Sequence, residues 1–269
     1  MSSLEQTESV YDASSLLLSI SDSSQSIVRG AILGYVQKAP SSGWSCFRAL
    51  LDASELPNIP ELAWITEGVS GARFVISKEE PFRALFLNLC RNSTLINLVV
   101  LYLDSEQDSP NWTQTATREE LAQKLAGFHP SFMRVLDLPA EDSFLRWKLL
   151  ALPELPTWVR GRAAILGDAA HATFPSLGQG AAMAIEEAGI LGSLLPVGTK
   201  REDIEGRLKG YQTLCKSRAD YVSTESVEQT TEPSKRGQYF RSQELQAFIL
   251  EYDAIQSGRE FYREHFGQM

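Results

Sequence analysis

The sequence predicts a mixed fold, α+β or α/β, with a mostly antiparallel sheet in its middle and helices at its end. Apolar runs rich in β-branched and aromatic residues are concentrated before residue 152, which is typical of strands. After residue 200 the apolar residues recur at helical spacing instead. A short apolar strand, a glycine-containing loop and a buried helix, within residues 163–195, connect these two regions.

The strands are predicted from short apolar runs that lie between polar or proline-containing breaks. Two of these runs flank Asn92, which predicts a hairpin there because asparagine tolerates turn conformations. The predicted strands are 14–20, 43–51, 71–76, 83–89, 94–103, 143–152 and a short run that stops at Gly167. Residues 1–13 are polar, and we expect them to be frayed.

Helix starts are predicted from capping residues, and helix lengths from apolar periodicity. Ser23 or Ser24 would cap a first helix, and Thr117 with Glu120 has the spacing of a capping box. A buried helix is predicted at Ala181–Leu195, apolar all round except for Glu186 and Glu187. Two further helices are predicted, Ile204–Glu228 and Ser242–Ile255, the second with Leu245, Phe248, Ile249 and Tyr252 on one face.

Composition excludes several classes of function. The formal net charge of −9 argues against nucleic-acid binding, which needs basic patches. Cys46, Cys90 and Cys215 lack the spacing of metal ligands or of a disulfide framework, so we expect free thiols and no metal site. The first 28 residues contain no Lys or Arg, whereas a secretory signal peptide begins with a positively charged region. No apolar run is long enough to span a bilayer. We therefore expect a cytoplasmic protein without nucleic-acid or membrane partners.

The most informative segment is GDAAHATFPSLGQGAAMAIEEA, residues 167–188. Asp168 ends a strand, where a carboxylate can accept hydrogen bonds from hydroxyl groups. Gly178, Gln179 and Gly180 precede a helix whose first N–H groups are unpaired and carry partial positive charge. Glycines at that point let a ligand approach the backbone closely. The pattern indicates a polyhydroxylated, anionic ligand, although a tight turn into a buried helix is the alternative interpretation.

The whole segment resembles the second flavin-binding motif of the class A FAD-dependent monooxygenases, the salicylate-hydroxylase-like family. The resemblance extends over residues 14–260 and includes SGWSCFRALL, ELAWITEG, GARFVI, NWTQTATREEL and LPTWVRGRAAILGDAAH. It implies that Asp168 binds the ribityl chain of FAD and that Pro175 lies near the isoalloxazine ring. It also implies that Gly178, Gln179 and Gly180 face the pyrimidine edge of the ring. Arg48 would then lie near the boundary between flavin and substrate, above a substrate pocket floored by the antiparallel sheet.

The sequence departs from the family pattern in one major respect. Family members begin with GxGxxG, which holds the FAD pyrophosphate at a helix N-terminus, and no such pattern occurs in this sequence. Ser23 follows Asp22 where the family has glycine, and Glu187 replaces the usual Asp. Hydrogen bonds to a charged group contribute about 1.5–3 kcal/mol each, so losing the pyrophosphate contacts would weaken FAD binding greatly. We therefore expect a truncated scaffold.

The truncated scaffold has an expected division into four segments. Residues 1–42 would be an N-terminal tail and a remnant of the cofactor domain, and 43–152 the substrate-domain sheet with a helical excursion. Residues 153–200 would be the remnant strand–loop–helix of the FAD domain, and 201–269 the C-terminal helices. The parallel part of the sheet would expose an edge, which a second copy of the chain could cover as a homodimer.

Three functions remain open, and the first is favoured. It is a flavin-free enzyme that folds a hydrophobic natural product into a reactive shape for a non-redox cyclisation, isomerisation or pericyclic, Diels–Alder-type step. The candidate catalytic residues are Arg48, Asp168 and His171, with Gln179 as a further polar group; His171 is alternatively a loop histidine bonded to backbone. The second is an aromatic hydroxylase using FAD and NAD(P)H whose N-terminal half is missing from this chain. The third is a non-catalytic ligand-binding remnant.

Overall fold

The computed structural model describes residues 17–20, 26–68, 71–77, 79–104, 113–138, 144–232, 234–235, 238 and 241–267. They form two compact units, one made of residues 41–149 and the other of the chain on either side of it. The predicted mixed fold with an antiparallel sheet is confirmed. The predicted frayed tail 1–13 lies outside the described residues, and the division into four segments stays a prediction.

All the described strands lie before residue 167, and the described elements after it are helices. In chain order, the strands are β1 (Leu17–Ile20), β2 (Ser41–Asp52), β3 (Ala72–Ile76), β4 (Arg83–Cys90), β5 (Leu95–Leu103), β6 (Thr113–Ala116), β7 (Phe144–Leu150), β8 (Val159–Arg160) and β9 (Ala163–Leu166). The helices are α1 (Ile27–Leu33), α2 (Arg118–Lys124), α3 (Pro130–Met133), α4 (Asp168–His171), α5 (Gly180–Leu194), α6 (Ile204–Thr231), α7 (Gln243–Leu250) and α8 (Ala254–Phe266). Short 3₁₀ helices occupy Ala53–Asn58, Pro60–Ile65, Arg134–Asp137, Pro175–Leu177 and Arg201–Asp203.

The unit of residues 41–149 is built on one sheet in the order β3-β4-β5-β2-β7-β6. Strands β4 and β5 form the predicted hairpin, and Arg91, Asn92 and Ser93 in its turn all have positive φ. Because side chains alternate between the two faces of a strand, one face collects residues such as Phe47 and Leu98 and packs on the helical segments. This packing buries the core of the unit.

The helix after β6 begins as the sequence predicts. The Thr117 hydroxyl accepts from the Glu120 N–H at 3.2 Å, and the Glu120 carboxylate accepts from the Thr117 N–H at 2.8 Å. This capping box satisfies two N–H groups that the helix itself leaves unpaired. Helix α2 ends at Lys124, and Gly127 then turns the chain with φ of 89°.

In the other unit, β1 lies parallel to β9, and β8 pairs antiparallel with the other side of β9. Helices α1, α5 and α6 pack against this small sheet, and α8 packs on α5 and α6. Trp158 and Tyr211 are fully buried in this core. The Tyr211 hydroxyl donates to the Ile165 carbonyl at 3.0 Å, which ties α6 to the central strand. The sheet therefore carries the core of this unit despite its short strands.

Two helix boundaries differ from the sequence prediction. Helix α1 begins at Ile27, where the Ser26 hydroxyl accepts the Arg29 N–H at 3.1 Å. The predicted caps Ser23 and Ser24 lie outside the described residues. The single helix predicted at Ser242–Ile255 is wrong. The chain forms α7 and then α8, because Asp253 accepts the Gln256 N–H at 2.9 Å and starts a new helix. The apolar periodicity continues across the break and so conceals it.

Arg218 fastens α7 to the rest of its unit. Its guanidinium donates to the Glu186 carboxylate on α5 at 3.0 and 3.2 Å, and to the carbonyls of Phe248 and Ile249 on α7. It also lies over the Tyr252 ring, 4.4 Å from the centroid. A guanidinium can satisfy this many planar acceptors at once, which a lysine cannot.

Close packing of α8 on α5 depends on Gly258. A Cβ at that position would lie 2.9 Å from Ser193 Cβ and 3.3 Å from Ile190 Cα, and the second of these atoms belongs to the backbone. We expect Gly258→Ala to lower the free energy of unfolding by about 1–3 kcal/mol, since overpacking forces backbone shifts.

Gly192→Ala is the matched control. Chemical denaturation measures the free energy of unfolding of both Gly258→Ala and Gly192→Ala. Gly192 also lies in α5, and a Cβ there would meet nothing within 4 Å. This change should leave stability unchanged or raise it by about 0.5–1 kcal/mol through helix propensity. Equal stability of the two variants would contradict the packing argument.

Candidate functional site

The turn after β9 presents Asp168 to solvent. Gly167 has φ of 59° and ψ of −143°, a backbone conformation that residues with a Cβ rarely adopt. A Cβ there would also lie 3.2 Å from Ala184 Cβ, so glycine lets α5 pack close to the strand end. Asp168 is the first residue of the short helix α4, and its carboxylate is exposed. The predicted position of Asp168 at a strand end is therefore what the structure shows.

His171 is the last residue of α4 and is buried in the core. It is 4 % exposed and its Nε2 lies 2.5 Å from Oε1 of Glu187, which is 3 % exposed. The other oxygen of Glu187 accepts the Gly167 N–H at 2.7 Å. The imidazole is thus bonded to a carboxylate rather than to backbone. Its burial argues against direct contact with a substrate, and its catalytic role stays a prediction.

The environment of His171 changes its proton affinity. Burial alone disfavours the charged imidazole, but the hydrogen bond to Glu187 and the negative charges of Glu187 and Asp168 outweigh it. The pKa of His171 is consequently raised above its ordinary value of 6.5. The pair is therefore an ion pair held inside the core when the histidine is protonated.

The loop before α5 opens a helix N-terminus toward solvent. Pro175 and Gly178 are exposed, and Gly178 adopts the left-handed conformation with φ of 65°. Gln179 is buried instead, with its side-chain amide donating to the Leu177 carbonyl at 3.3 Å. No side chain caps the first turn of α5, which begins at Gly180. Such a helix start favours an anionic group because its N–H groups point outward.

Arg48 lies in the other compact unit. It is exposed on β2, with its guanidinium carbon 5.7 Å from the centroid of the Trp147 ring. Leu50, Leu103 and Leu145 project from the same face of the sheet and are 64 %, 51 % and 39 % exposed. Arg48 is therefore a cation on an apolar, partly aromatic surface. The remaining predicted site residues (Asp168, His171, Pro175, Gly178, Gln179 and Gly180) lie together in the unit that contains β9.

The described part of the chain also contains a groove and free thiols that are not among the predicted site features. The groove, of about 550 Å³, lies between α6 and α7, and none of the predicted site residues lines it. Cys46, Cys90 and Cys215 are free thiols, of which Cys90 is only half-buried. Within the described residues, no group of three or more His, Cys, Asp or Glu side chains has the arrangement of a metal site. Among the helices described, none is long and apolar enough to cross a membrane.

Comparison with known proteins identifies the chain's relatives. Residues 36–226 match the model of a family described as an FAD binding domain. The chain belongs to this family. Hispidin-3-hydroxylase from Neonothopanus nambi is 38 % identical over 86 % of this chain and 57 % of its own length. Salicylate hydroxylase from Pseudomonas putida is 28 % identical over 70 % of this chain and 43 % of its own length.

Structural comparison agrees with this assignment. A solved salicylate hydroxylase with bound substrate has a TM-score of 0.77 and 25 % identity, over 93 % of this chain and 64 % of that chain. The relationship to the class A, salicylate-hydroxylase-like monooxygenases is thereby confirmed. The chain spans a little over half the length of the hydroxylase that it matches at 38 % identity.

The residues fit part of an FAD molecule. Asp168 offers an exposed acceptor for hydroxyl groups, and α5 offers an uncapped N-terminus for an anionic edge. A Cβ at Gly178 would meet no protein atom within 4 Å, so the space beside the backbone there is open. These features suit the ribityl chain and the ring of the flavin.

Glu187 is a residue beside the candidate site that sequence reasoning did not identify. The sequence shows it only as a charge in an otherwise apolar helix and as a departure from the usual Asp. A charge in such a helix must find a partner inside the core, because an unpaired buried charge is costly. That signal was present, but the partners are 16 and 20 residues away and only the fold brings them close.

The raised pKa of His171 predicts how stability depends on pH. We take the ordinary pKa of 6.5 as that of His171 in the unfolded chain; in the folded protein the pKa is higher. At pH values between these two pKa values, the folded protein binds up to one more proton than the unfolded chain. The stabilisation of the folded protein by protonated His171 is therefore complete below the unfolded pKa, and it is lost as pH rises through the folded pKa. We expect the free energy of unfolding to fall over this window by at most about 1.4 kcal/mol per pH unit.

Chemical denaturation across this pH range measures the effect, and His171→Gln is the comparison. The variant should be less stable at low pH and should lack this part of the pH dependence. An unchanged pH profile in His171→Gln would contradict the ion pair.

Proposed function

We propose that this chain provides the substrate-binding sheet and the flavin-ring side of an FAD-dependent hydroxylase. The observation that carries the proposal is the exposed Asp168 at the end of β9, together with the open N-terminus of α5, in a chain of the FAD-binding family. The hydroxylase names of its relatives support the same reaction class.

Each of these features has a defined task in the proposal. The Asp168 carboxylate accepts hydrogen bonds from ribityl hydroxyls, and the first N–H groups of α5 stabilise negative charge on the flavin ring. Pro175 and Gly178 leave the backbone accessible to the ring. When bound, FAD supplies the redox chemistry, in which NAD(P)H and O₂ convert a ring C–H to C–OH and release water. The protein positions the ring and excludes water.

The substrate class follows from the sheet face that carries Arg48. Apolar and aromatic side chains on that face favour a flat, largely apolar ring compound. Arg48 adds a cation that can bind an anionic substituent or stack on the ring. A hydrophobic small molecule of this kind is the proposed substrate.

The flavin-free interpretation stays a prediction beside this one. Orientation of a substrate on the sheet face could promote a cyclisation, isomerisation or pericyclic step without a redox cofactor. The two functions differ in their products, since hydroxylation adds one oxygen atom and consumes NAD(P)H, whereas these rearrangements add no oxygen. A homodimer and a cytoplasmic location also stay proposals.

Flavin binding by the purified chain is the first test. Riboflavin and FAD should both bind, seen as quenching of flavin fluorescence, and Asp168→Asn should weaken binding about tenfold, the effect of one lost charge-assisted hydrogen bond. Glu154→Gln removes another exposed carboxylate from the same unit and serves as the control.

A colourless protein that quenches neither flavin would overturn the proposed function. If such a protein also rearranged a hydrophobic substrate without adding oxygen, the flavin-free interpretation would be supported. Equal affinities of wild type and Asp168→Asn would overturn the role of Asp168 alone.

Arg48 is tested with two probes of one shape, salicylate and its uncharged amide, salicylamide. We expect Arg48→Gln to weaken salicylate binding about tenfold, through loss of a hydrogen bond to a charged group, and to leave salicylamide binding unchanged. Arg91→Gln, at the exposed β4–β5 turn, is the control in the same unit. Isothermal calorimetry gives both affinities, and an equal loss for the two probes would contradict the anion-binding role.

A further inference from the structure

Glu187 is a buried carboxylate whose two oxygens are both engaged. Oε2 accepts the Gly167 N–H at 2.7 Å and Oε1 pairs with His171 Nε2 at 2.5 Å. With 3 % of its surface exposed, Glu187 is in no position to touch a ligand. Any effect it has on binding must act through the groups that it holds.

Those groups are the two ends of the turn that carries Asp168. Gly167 precedes Asp168, and His171 is the last residue of α4. Within the turn, the N–H groups of Ala170 and His171 donate to the Gly167 carbonyl at 2.8 and 2.9 Å. One carboxylate therefore bridges the start and the end of a single helical turn, with the exposed Asp168 between its two attachment points.

A second buried charge holds the same turn through another backbone group. The Arg29 guanidinium, which is fully buried, donates to the Ala169 carbonyl at 3.2 Å. It also donates twice to the Gln37 carbonyl, at 2.9 and 2.8 Å. The backbone on both sides of the Asp168 side chain is thus fixed by groups that do not themselves reach solvent.

The length of the side chain at position 187 matters for this bridge. Aspartate, the usual residue of the family at this position, is shorter by one carbon–carbon bond, about 1.5 Å. On the backbone of this chain, its carboxylate would therefore fall short of at least one of the two partners. Glutamine has the full length, and its amide can accept from Gly167 and donate to a neutral His171. The two substitutions therefore separate the geometry of the bridge from its charge.

Resting on the proposed function, we propose that Glu187 is a positioning residue: by bridging Gly167 and His171 it holds the Asp168 carboxylate in place for the hydroxyl groups of a flavin's ribityl chain. Glu187→Asp should weaken riboflavin binding about tenfold, whereas Glu187→Gln should stay within about threefold of wild type. Glu186→Gln is the control, because the neighbouring carboxylate pairs with Arg218 instead of with the turn.

A double-mutant cycle distinguishes positioning from a general loss of structure. If Glu187 acts through Asp168, then Asp168→Asn combined with Glu187→Asp should bind riboflavin about as weakly as Asp168→Asn alone. Losses that multiply would overturn the proposal, as would Glu187→Asp with wild-type affinity. Affinity of Glu187→Gln as low as that of Glu187→Asp would overturn the geometric argument too.

Amide hydrogen exchange of residues 167–171 in the ligand-free protein measures how firmly the turn is held, without any flavin. Glu187→Asp should speed exchange of the Gly167 amide at least tenfold, while Glu186→Gln leaves it unchanged. If wild type binds no flavin, the proposed function fails, and this exchange result still decides whether Glu187 holds the turn. Unchanged exchange in Glu187→Asp would overturn the positioning role even if flavin binds.

Discussion

The arrangement around β9 depends on one buried carboxylate. Glu187 is a buried charged group in a packed helix, and its burial is tolerated because the Gly167 N–H and His171 share its two oxygens. The pairing with Glu187 also constrains the turn at residues 167–171. Gly167 must keep its unusual backbone conformation and His171 must stay in the core, since releasing either leaves a charge or a polar group unpaired.

Glycine makes close packing around α5 possible at two positions. Gly167 allows the strand end to approach Ala184 on α5, and Gly258 allows α8 to approach the other side of the same helix. Helix α5 is therefore held between the strand end and α8, and its N-terminus is directed by packing along its length rather than by a side-chain cap. A fixed helix start without a side-chain cap leaves its first N–H groups available to water or to a ligand.

Local chemistry made part of this structure predictable from the sequence. The capping box at Thr117, the hairpin at Asn92 and the strand that stops at Gly167 are each specified by residues within a few positions of one another. The break at Asp253 was missed because an unbroken apolar periodicity outweighed a good N-cap. The bridge from Glu187 to Gly167 and His171 was missed for a different reason. It joins residues on separate elements, and only the packed unit defines the distance between them.

The same bridge bears on the choice between the two proposed reaction types. A rearrangement that uses His171 as acid or base would have to bring its substrate to an imidazole that is only 4 % exposed, since a proton-transfer group must lie within hydrogen-bond reach of the substrate. A hydroxylase makes no such demand, because the cofactor carries the redox step and the protein needs only to bind and orient. A rearrangement driven by orientation alone also leaves the pair intact. The geometry therefore separates functions that move a proton at His171 from those that do not, and it favours the second group.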